Sequence, residues 1–443
     1  MSYASAILKL GAMAPELHTK PGQVRRKFSV DEMRLLLGAL GDPHLRFPSV
    51  LIAGTNGKGS TASTLASILG AAGNRTGLYT SPHLSRINER MRVGNEEIED
   101  EAFAELYFQV ETAADDLVRT GRLPQIPSFF EFVTAMAFLH FAAAGVEIAV
   151  LEVGMGGRLD ATNVVEPLLS VVTDISLDHT EWLGSTIGAI SREKAGILRR
   201  NGTLITLPQH PEANQVLGEV ASELNVHGVN AGAYMPPVHG VAGSGYTVEV
   251  FGQAVVVESP LLGAHQHRNV ALAIAAAVAL AESKGLKIDA ASIAEGIRLT
   301  RWPGRLERLE RDGVTWLLDV AHNPAGAWAL RAGFNAAFAE KKPRVLVFGC
   351  LRDKPLQEMA QILFTEFDRV IFAPIDSPRA VSLASLMAAA DSLGVAAVAE
   401  NSVQDALDLA SRFAGDGVVV VSGSVYLVGE VRSILLGKWR QRP

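Results

Sequence analysis

Val50-Leu51-Ile52-Ala53-Gly54-Thr55-Asn56-Gly57-Lys58-Gly59-Ser60 is the stretch whose reading decides the fold. Its first four residues form a short apolar run, the signature of a buried strand. Glycines then break the run, and a helical pattern follows from Ser60 to Ala72. A strand, a glycine-rich loop and a helix in this order let backbone N–H groups and a helix N-terminus converge on phosphate oxygens. Lys58 adds a full positive charge, and the Ser60 hydroxyl suits magnesium. The motif is not a standard Walker A, because Gly59 stands where Ser or Thr would follow the lysine.

The same alternation continues outward. Ile148 to Val153 and Leu169 to Ile175 read as two more buried strands, and Phe130 to Ala144 and Ser185 to Ile197 as helices. Near-continuous apolar strands between helices indicate a parallel sheet covered on both faces. Tyr246 to Glu258 reads as a hairpin about Phe251-Gly252-Gln253, followed by an alanine-rich helix over Arg268 to Lys284 that Gly285 stops. A second series carries candidate strands at Trp316–Val320, Arg344–Phe348, Arg369–Ala373, Ala396–Val398 and Val418–Val421. Arg301-Trp302-Pro303-Gly304-Arg305 is the linker candidate between the two series. Near the start, Ser29-Val30-Asp31-Glu32 reads as a capping box opening a helix to Leu40, and the basic Lys20–Lys27 stretch as a loop. The expected class is α/β: a P-loop parallel-sheet ATPase domain over residues 1–299 and a smaller, Rossmann-like C-terminal domain over 300–443.

Composition narrows the function classes. A chain of 443 residues, 48% hydrophobic and 20% charged, suits more than one domain and is too apolar for a disordered tail. The formal charge of -7 excludes a broadly basic nucleic-acid coat. The single cysteine, Cys350, excludes an internal disulfide framework and a cysteine-cluster metal site. The longest apolar run, Val270 to Ala281, has 12 residues, against about 20 for a membrane-crossing helix. With no signal peptide legible at the N-terminus, a cytoplasmic protein without nucleic-acid or membrane partners is expected.

Other constellations carry chemistry. Thr80-Ser81-Pro82-His83-Leu84-Ser85-Arg86-Ile87-Asn88-Glu89-Arg90 offers hydroxyls, a histidine and two arginines after a strand, and reads either as a triphosphate-facing loop or as an ordinary polar one. Glu152-Val153-Gly154-Met155-Gly156-Gly157-Arg158-Leu159-Asp160-Ala161-Thr162-Asn163 follows another, and a carboxylate near a buried strand end needs a cation or a strong partner. Leu177-Asp178-His179-Thr180 closes the next strand; His179 and Glu152 would sit side by side if their strands are neighbours. Ser191-Arg192-Glu193-Lys194-Ala195-Gly196-Ile197 ends a helix, and reads either as a solvated charge run with a glycine cap or as the frame of a special lysine. His265-Gln266-His267-Arg268-Asn269, Arg305, Asp319-Val320-Ala321-His322-Asn323-Pro324 and Ser377-Pro378-Arg379 are expected to line a cleft between the two domains.

Taken together, these blocks resemble the folylpolyglutamate synthase and dihydrofolate synthase family of the Mur-ligase superfamily. The resemblance rests on GTNGKGS at 54–60, SPHL at 81–84, EVGMGGRLDATN at 152–163, LDHT at 177–180, REKAGI at 192–197, PGRLE at 303–307, DVAHNP at 319–324 and SPR at 377–379. It implies an ATP-dependent amide ligase of folate biosynthesis. A pterin-bearing carboxylate, of dihydropteroate or a reduced folate, takes the γ-phosphoryl group of ATP, and the amine of L-glutamate displaces phosphate from the acyl phosphate. A carboxylate is a poor electrophile, so phosphorylation supplies a leaving group, and transfer between anions calls for cations.

By resemblance, Thr55, Asn56, Gly57, Lys58, Gly59, Ser60 and Thr61 contact ATP, with Asn269, Arg305, Asp319 and His322 around the linker. Ser60, Ser81, Glu152 and His179 match magnesium ligands, and Lys194 matches a carbamylated lysine able to hold a second ion. Lys58, Glu152, His179 and Lys194 form the implied catalytic set. Ser128, Phe129, Phe130 and Glu131, with Leu159, Asp160 and Ala161, match the pterin pocket, and Ser377 is the candidate glutamate contact. Residues 1–48 depart from the family pattern, and no pterin contact is assigned there. A monomer is the simplest expectation. The alternative is another amino-acid ligase of the superfamily. Ligases acting on UDP-sugars carry a separate N-terminal domain of about 80 to 100 residues, whereas 53 residues precede Gly54 here.

Overall fold

The computed structural model describes residues 2–13, 29–237 and 245–437; the Lys20–Lys27 stretch lies outside the described residues. The chain forms two compact units. The first comprises Met1–Pro82, Asn88–Ser259 and Arg268–Thr300, and the second His83–Ile87, Pro260–His267 and Arg301–Pro443. The division is thus discontinuous: two short segments from before residue 300 belong to the later unit, and one cut falls inside the helix Ala264–Lys284.

The first unit is built on β1 (Ser49–Ala53), β2 (Thr76–Tyr79), β3 (Met91–Val93), β4 (Glu96–Glu97), β5 (Ile148–Glu152), β6 (Leu169–Val172), β7 (Thr203–Thr206) and β8 (His227–Asn230). They lie in the order β4-β3-β2-β5-β1-β6-β7-β8. From β2 to β8 all pairings are parallel, and β3 and β4 add an antiparallel edge. Every residue of β1 and β5 is buried, as expected of central strands covered on both faces. The hairpin β9 (Gly245–Val250) and β10 (Gln253–Glu258) turns about Phe251 and Gly252, both with positive φ. Tyr246, Val248, Val250, Val255 and Val257 face one core with the helix over residues 270–280.

Close helix packing completes that core. Helix Ala290–Arg298 lies against helix Lys58–Ala71, where Ser67 Oγ donates to the Gly296 carbonyl at 2.6 Å. A Cβ on Gly296 would fall 2.3 Å from Ile68 Cα and 2.6 Å from Ile68 N, both backbone atoms. Gly296→Ala gains about 1 kcal/mol of helix propensity, but overpacking against backbone costs about 1–3 kcal/mol or more. The clash wins, and the variant is expected to melt at a lower temperature than wild type. A melting temperature equal to or above wild type contradicts this packing.

The second unit holds β11 (Glu307–Arg311), β12 (Val314–Leu318), β13 (Arg344–Phe348), β14 (Arg369–Phe372), β15 (Ala397–Ala399) and β16 (Val418–Ser422). The order is β11-β12-β16-β13-β14-β15; β11 is antiparallel and the rest parallel. Strand periodicity splits the core in two. Val418 and Val420 join Leu346 and Phe348 on one face, while Val419 and Val421 join Val345 and Val347 on the other. Fully burying each of these valines contributes about 1.5–3 kcal/mol. The architecture is α/β in both units. Among the described residues no helix is long and apolar enough to cross a membrane.

Candidate functional site

The loop after β1 is tied to the strand beside it. The N–H groups of Thr55 and Asn56 both donate to the Asp174 carbonyl, at 2.8 and 3.1 Å. The Thr55 hydroxyl donates to the Ser176 carbonyl, and Asn56 Nδ2 to Ser176 Oγ, each at 3.0 Å. Thr55 and Asn56 thus serve as the loop's scaffold. Gly57, with φ +88°, caps the helix Lys58–Ala71. A side chain there would place its Cβ 2.1 Å from Asn269 Oδ1, so glycine is required both by conformation and by the approach of Asn269. The helix begins two residues before the expected Ser60 because this turn is so tight. Its first-turn N–H groups, on Lys58, Gly59 and Ser60, have no carbonyl within the helix to bind and form an anion-ready end. Lys58 Nζ folds back over the loop, donating to the Gly54 and Thr55 carbonyls at 3.1 and 3.2 Å. Thr61 is fully buried, its hydroxyl without a hydrogen-bond partner among the described residues.

Ser81 follows β2, and Glu152 ends β5, the neighbouring strand. The Ser81 N–H donates to Glu152 Oε2 at 3.1 Å, and Glu152 is only 4% exposed. His179, with left-handed φ of +50°, caps the short helix Thr180–Leu183 beyond β6. The condition set for His179 and Glu152 to stand side by side, neighbouring strands, is not met: β1 lies between β5 and β6, so the two residues follow the strands that flank β1 and its loop. Among the described residues no three His, Cys, Asp or Glu groups converge as a metal cluster. Ser60 and Ser81 bring hydroxyls, Glu152 a carboxylate and His179 an imidazole to segments that follow or end the interior strands β1, β2, β5 and β6.

The charged run at the end of helix Ile187–Ala195 divides by residue. Arg192 pairs with Glu219 at 3.0 Å and Glu193 with Arg158 at 2.8 Å, both partly in solvent. Lys194 is buried, and its Nζ donates to the Gly54 carbonyl at 2.7 Å. Burial first, and then the nearby Lys58 charge, push its amine down to about 7, against a partial pull from Asp178 and Asp160.

A cavity of about 130 Å³ opens beside this lysine, lined among others by Phe130, Leu159, Asp160, Trp182, Leu183 and Glu193. Glu131 and Ala161 also line it, whereas Ser128 and Phe129 do not. Glu131 Oε2 accepts the Ser128 N–H at 2.7 Å, fixing the start of helix Phe129–Ala143, and Arg90 packs over the Phe129 ring at 5.1 Å. Asp160 accepts the N–H groups of Met155 and Thr162, at 3.0 and 2.9 Å, and the Thr162 hydroxyl at 2.5 Å. Burial raises its pKa, and these hydrogen bonds oppose the rise. Sequence reasoning missed Trp182, Leu183 and Ser29 as lining residues. The one available signal was that Trp182 and Leu183 lie just past the Leu177–Thr180 block, after Glu181.

In the second unit, Asp319 Oδ2 accepts the Leu306 N–H and Oδ1 the Ala321 N–H, each at 2.9 Å. Burial raises the Asp319 pKa, opposed by the charges of Arg305 and His265. His322 Nδ1 lies 2.8 Å from the Val320 carbonyl, and Arg305 packs over Trp302 at 5.8 Å. Ser377 follows β14, which β16 and β13 separate from β12, and its hydroxyl accepts the Arg379 N–H at 3.2 Å. Arg379 pairs with Asp353 at 2.6 Å, and Lys354, largely buried, lies 3.8 Å from the same carboxylate. The cations of Arg379 and Lys354 hold the Asp353 carboxyl below its usual range against the opposing effect of burial.

Residues 52–277 match the Mur ligase middle domain family, and residues 304–425 the Mur ligase, glutamate ligase domain family. The folylpolyglutamate synthase of Lacticaseibacillus casei is 34% identical over 408 residues, covering 91% of this chain and 93% of its own. The dihydrofolate synthase/folylpolyglutamate synthase of Bacillus subtilis is 34% identical over 424 residues, covering 93% and 96%. The solved structure of Mycobacterium tuberculosis folylpolyglutamate synthase complexed with ADP superposes with a TM-score of 0.86 at 31% identity, over 98% of this chain and 99% of that one.

Proposed function

Because the chain belongs to the folylpolyglutamate synthase/dihydrofolate synthase family of Mur ligases, we propose that it is an ATP-dependent ligase that joins L-glutamate to the carboxylate of a pterin-bearing acid through an acyl phosphate. Dihydropteroate and reduced folates are the acceptor class. The observation that carries this reading is the meeting of loop and cavity. Lys194 bonds the Gly54 carbonyl of the phosphate-binding loop, while its neighbour Glu193 lines the cavity. A phosphoryl donor at the loop and a flat acid in the cavity are then held for transfer by one short segment.

Lys58 and the first-turn N–H groups hold the β- and γ-phosphates, offsetting the repulsion between two anions. Asn269, beside Gly57, and Arg305, Asp319 and His322 contribute nucleotide contacts. Phe130 and Leu159 pack against the pterin ring, and Asp160 lines the same cavity. Ser377, with the cations of Arg379 and Lys354 close by, suits the carboxylates of the incoming glutamate.

The donor set fits magnesium. Ser60, Ser81 and Glu152 offer hard oxygens, His179 a nitrogen, and a carboxylate as buried as Glu152 favours a cation at its side. The ion supplies neutralisation of phosphate charge when bound. Lys194 suits carbamylation: its buried amine loses its proton easily, adds to carbon dioxide with release of a proton, and becomes an anion able to hold a second magnesium ion. All these groups lie on one chain, consistent with a monomeric ligase.

The test is product analysis. Incubation with ATP, magnesium, glutamate and either dihydropteroate or tetrahydrofolate is expected to yield product heavier by one or more glutamyl residues, with one phosphate per bond. Phosphate release without either organic substrate, and no mass gain, would refute the ligase reading.

A further inference from the structure

A second cavity, of about 360 Å³, adjoins the first and shares Ser29, Arg158 and Leu159 with it. Three guanidinium groups reach its wall: Arg34 from helix Val30–Ala39, Arg158 from the loop after β5, and Arg199 ahead of β7. Its lining follows the crossover from the carboxyl end of β5 toward the start of β6, through Asn163 and Glu166. It therefore extends the first cavity away from the Gly54–Ser60 loop.

The three arginines are held differently. Arg199 is a fixed strut, donating to the Val165 carbonyl at 2.7 Å, to Asn163 Oδ1 at 2.9 Å and to Glu166 at 3.0 Å. Arg34 pairs at 2.8 Å with Asp31, whose side chain is 86% exposed. Arg158 pairs at 2.8 Å with Glu193, its own side chain half in solvent. Ion pairs this wet are weak, so both guanidinium groups can be recruited by another anion without a large penalty.

Ligation chemistry supplies such an anion. Each cycle consumes one carboxylate and brings in two, so the acid gains one negative charge with every γ-linked glutamate. The first cavity is too small for a substrate carrying several such units. The reacting carboxylate must still reach the phosphate-binding loop, so a growing substrate has to extend outward.

We propose that the Arg34–Arg158–Arg199 cavity is a subsite for γ-glutamylated acyl substrates, receiving the portion displaced outward as the tail lengthens and pairing with its carboxylates. This rests on the ligase reading above and adds to it a length preference with named residues.

The test compares reduced pteroyl-monoglutamate with pteroyl-tetra-γ-glutamate, by equilibrium dialysis and by steady-state turnover, in wild type, Arg34→Glu and Arg34→Lys. Arg34 is exposed and remote from the sheet core, so neither change threatens the fold. The charge reversal is expected to weaken tetraglutamate binding about tenfold at low salt, less at high salt. Monoglutamate binding should stay within about twofold, because the single ion pair lost is exposed. Arg34→Lys should retain most of the tetraglutamate affinity. Equal weakening of both compounds, weakening of neither, or no wild-type binding of the tetraglutamate overturns the subsite. Turnover of the monoglutamate acceptor reports separately on the ligase reading.

Discussion

Lys58→Ala is expected to lower kcat for phosphate release by about three orders of magnitude, the scale on which an arginine finger or an oxyanion donor acts in phosphoryl and acyl transfer. In the structure Lys58 Nζ bonds only loop carbonyls, Gly54 and Thr55, among the partners described above. Those bonds carry the ammonium charge but lie only partly buried at a loop, which puts them at the low end of about 1.5–3 kcal/mol each in net stability. The fold should therefore survive their loss, and the helix N-terminus still presents its N–H groups to phosphate. What disappears is the full charge that offsets two approaching anions. Steady-state kinetics at saturating substrates, with circular dichroism to verify folding, checks this. A loss below tenfold in a folded variant contradicts the assignment.

Lys194→Met is expected to lose activity by at least about a hundredfold and, at the same time, to be more stable than wild type at neutral pH. The physical reason is the buried amine. Folding lowers its pKa from 10.5 to about 7, so between those values the unfolded chain holds a proton that the native chain has given up. Native stability in metal-free buffer therefore rises with pH from about 7 to about 10.5, and the cost of burying this group is greatest at and below pH 7. Methionine fills similar volume and carries no charge. The gain should be about 2 kcal/mol near pH 7, less than full linkage would give, because the Gly54 carbonyl loses the shorter of its two lysine donors. It should shrink toward pH 10. A variant that is inactive and less stable at every pH would mark Lys194 as a structural hydrogen-bond donor; one that is fully active would remove it from the chemistry.

Much of this architecture was legible from local pattern. Val50–Ala53, Ile148–Leu151 and Val418–Val421 are apolar throughout because they are central strands, and such runs announce themselves. The strands β7, β8 and β11 escaped notice. Thr203–Thr206 is buried only at Leu204 and Ile205, and His227–Asn230 is an exposed edge with a glycine inside. Glu307–Arg311 is an antiparallel edge with four charged residues around one leucine, so it offers no apolar alternation to read. The phosphate-binding loop was readable because glycine at a positive φ has few substitutes.

The neighbourhood of Glu152 and His179 was not readable, since strand order is a long-range property that neither segment encodes by itself. The same holds for Lys194. The preceding Arg192 and Glu193 do behave as a solvated run, and only the tertiary fold turns the lysine after them inward. Ser128 and Glu131 carry a structural role beside the expected one. Their spacing is that of a helix cap, and the Glu131 carboxylate is committed to the Ser128 N–H even though it also lines the cavity.

The central claim is that the acid is activated by phosphorylation before nitrogen attacks. Acyl substrate labelled with oxygen-18 in its reacting carboxylate tests this most directly, with the released phosphate analysed by mass spectrometry. One labelled oxygen is expected in each phosphate formed, because the acyl phosphate breaks between carbon and that oxygen. Phosphate free of label, alongside normal amide formation, would contradict the account.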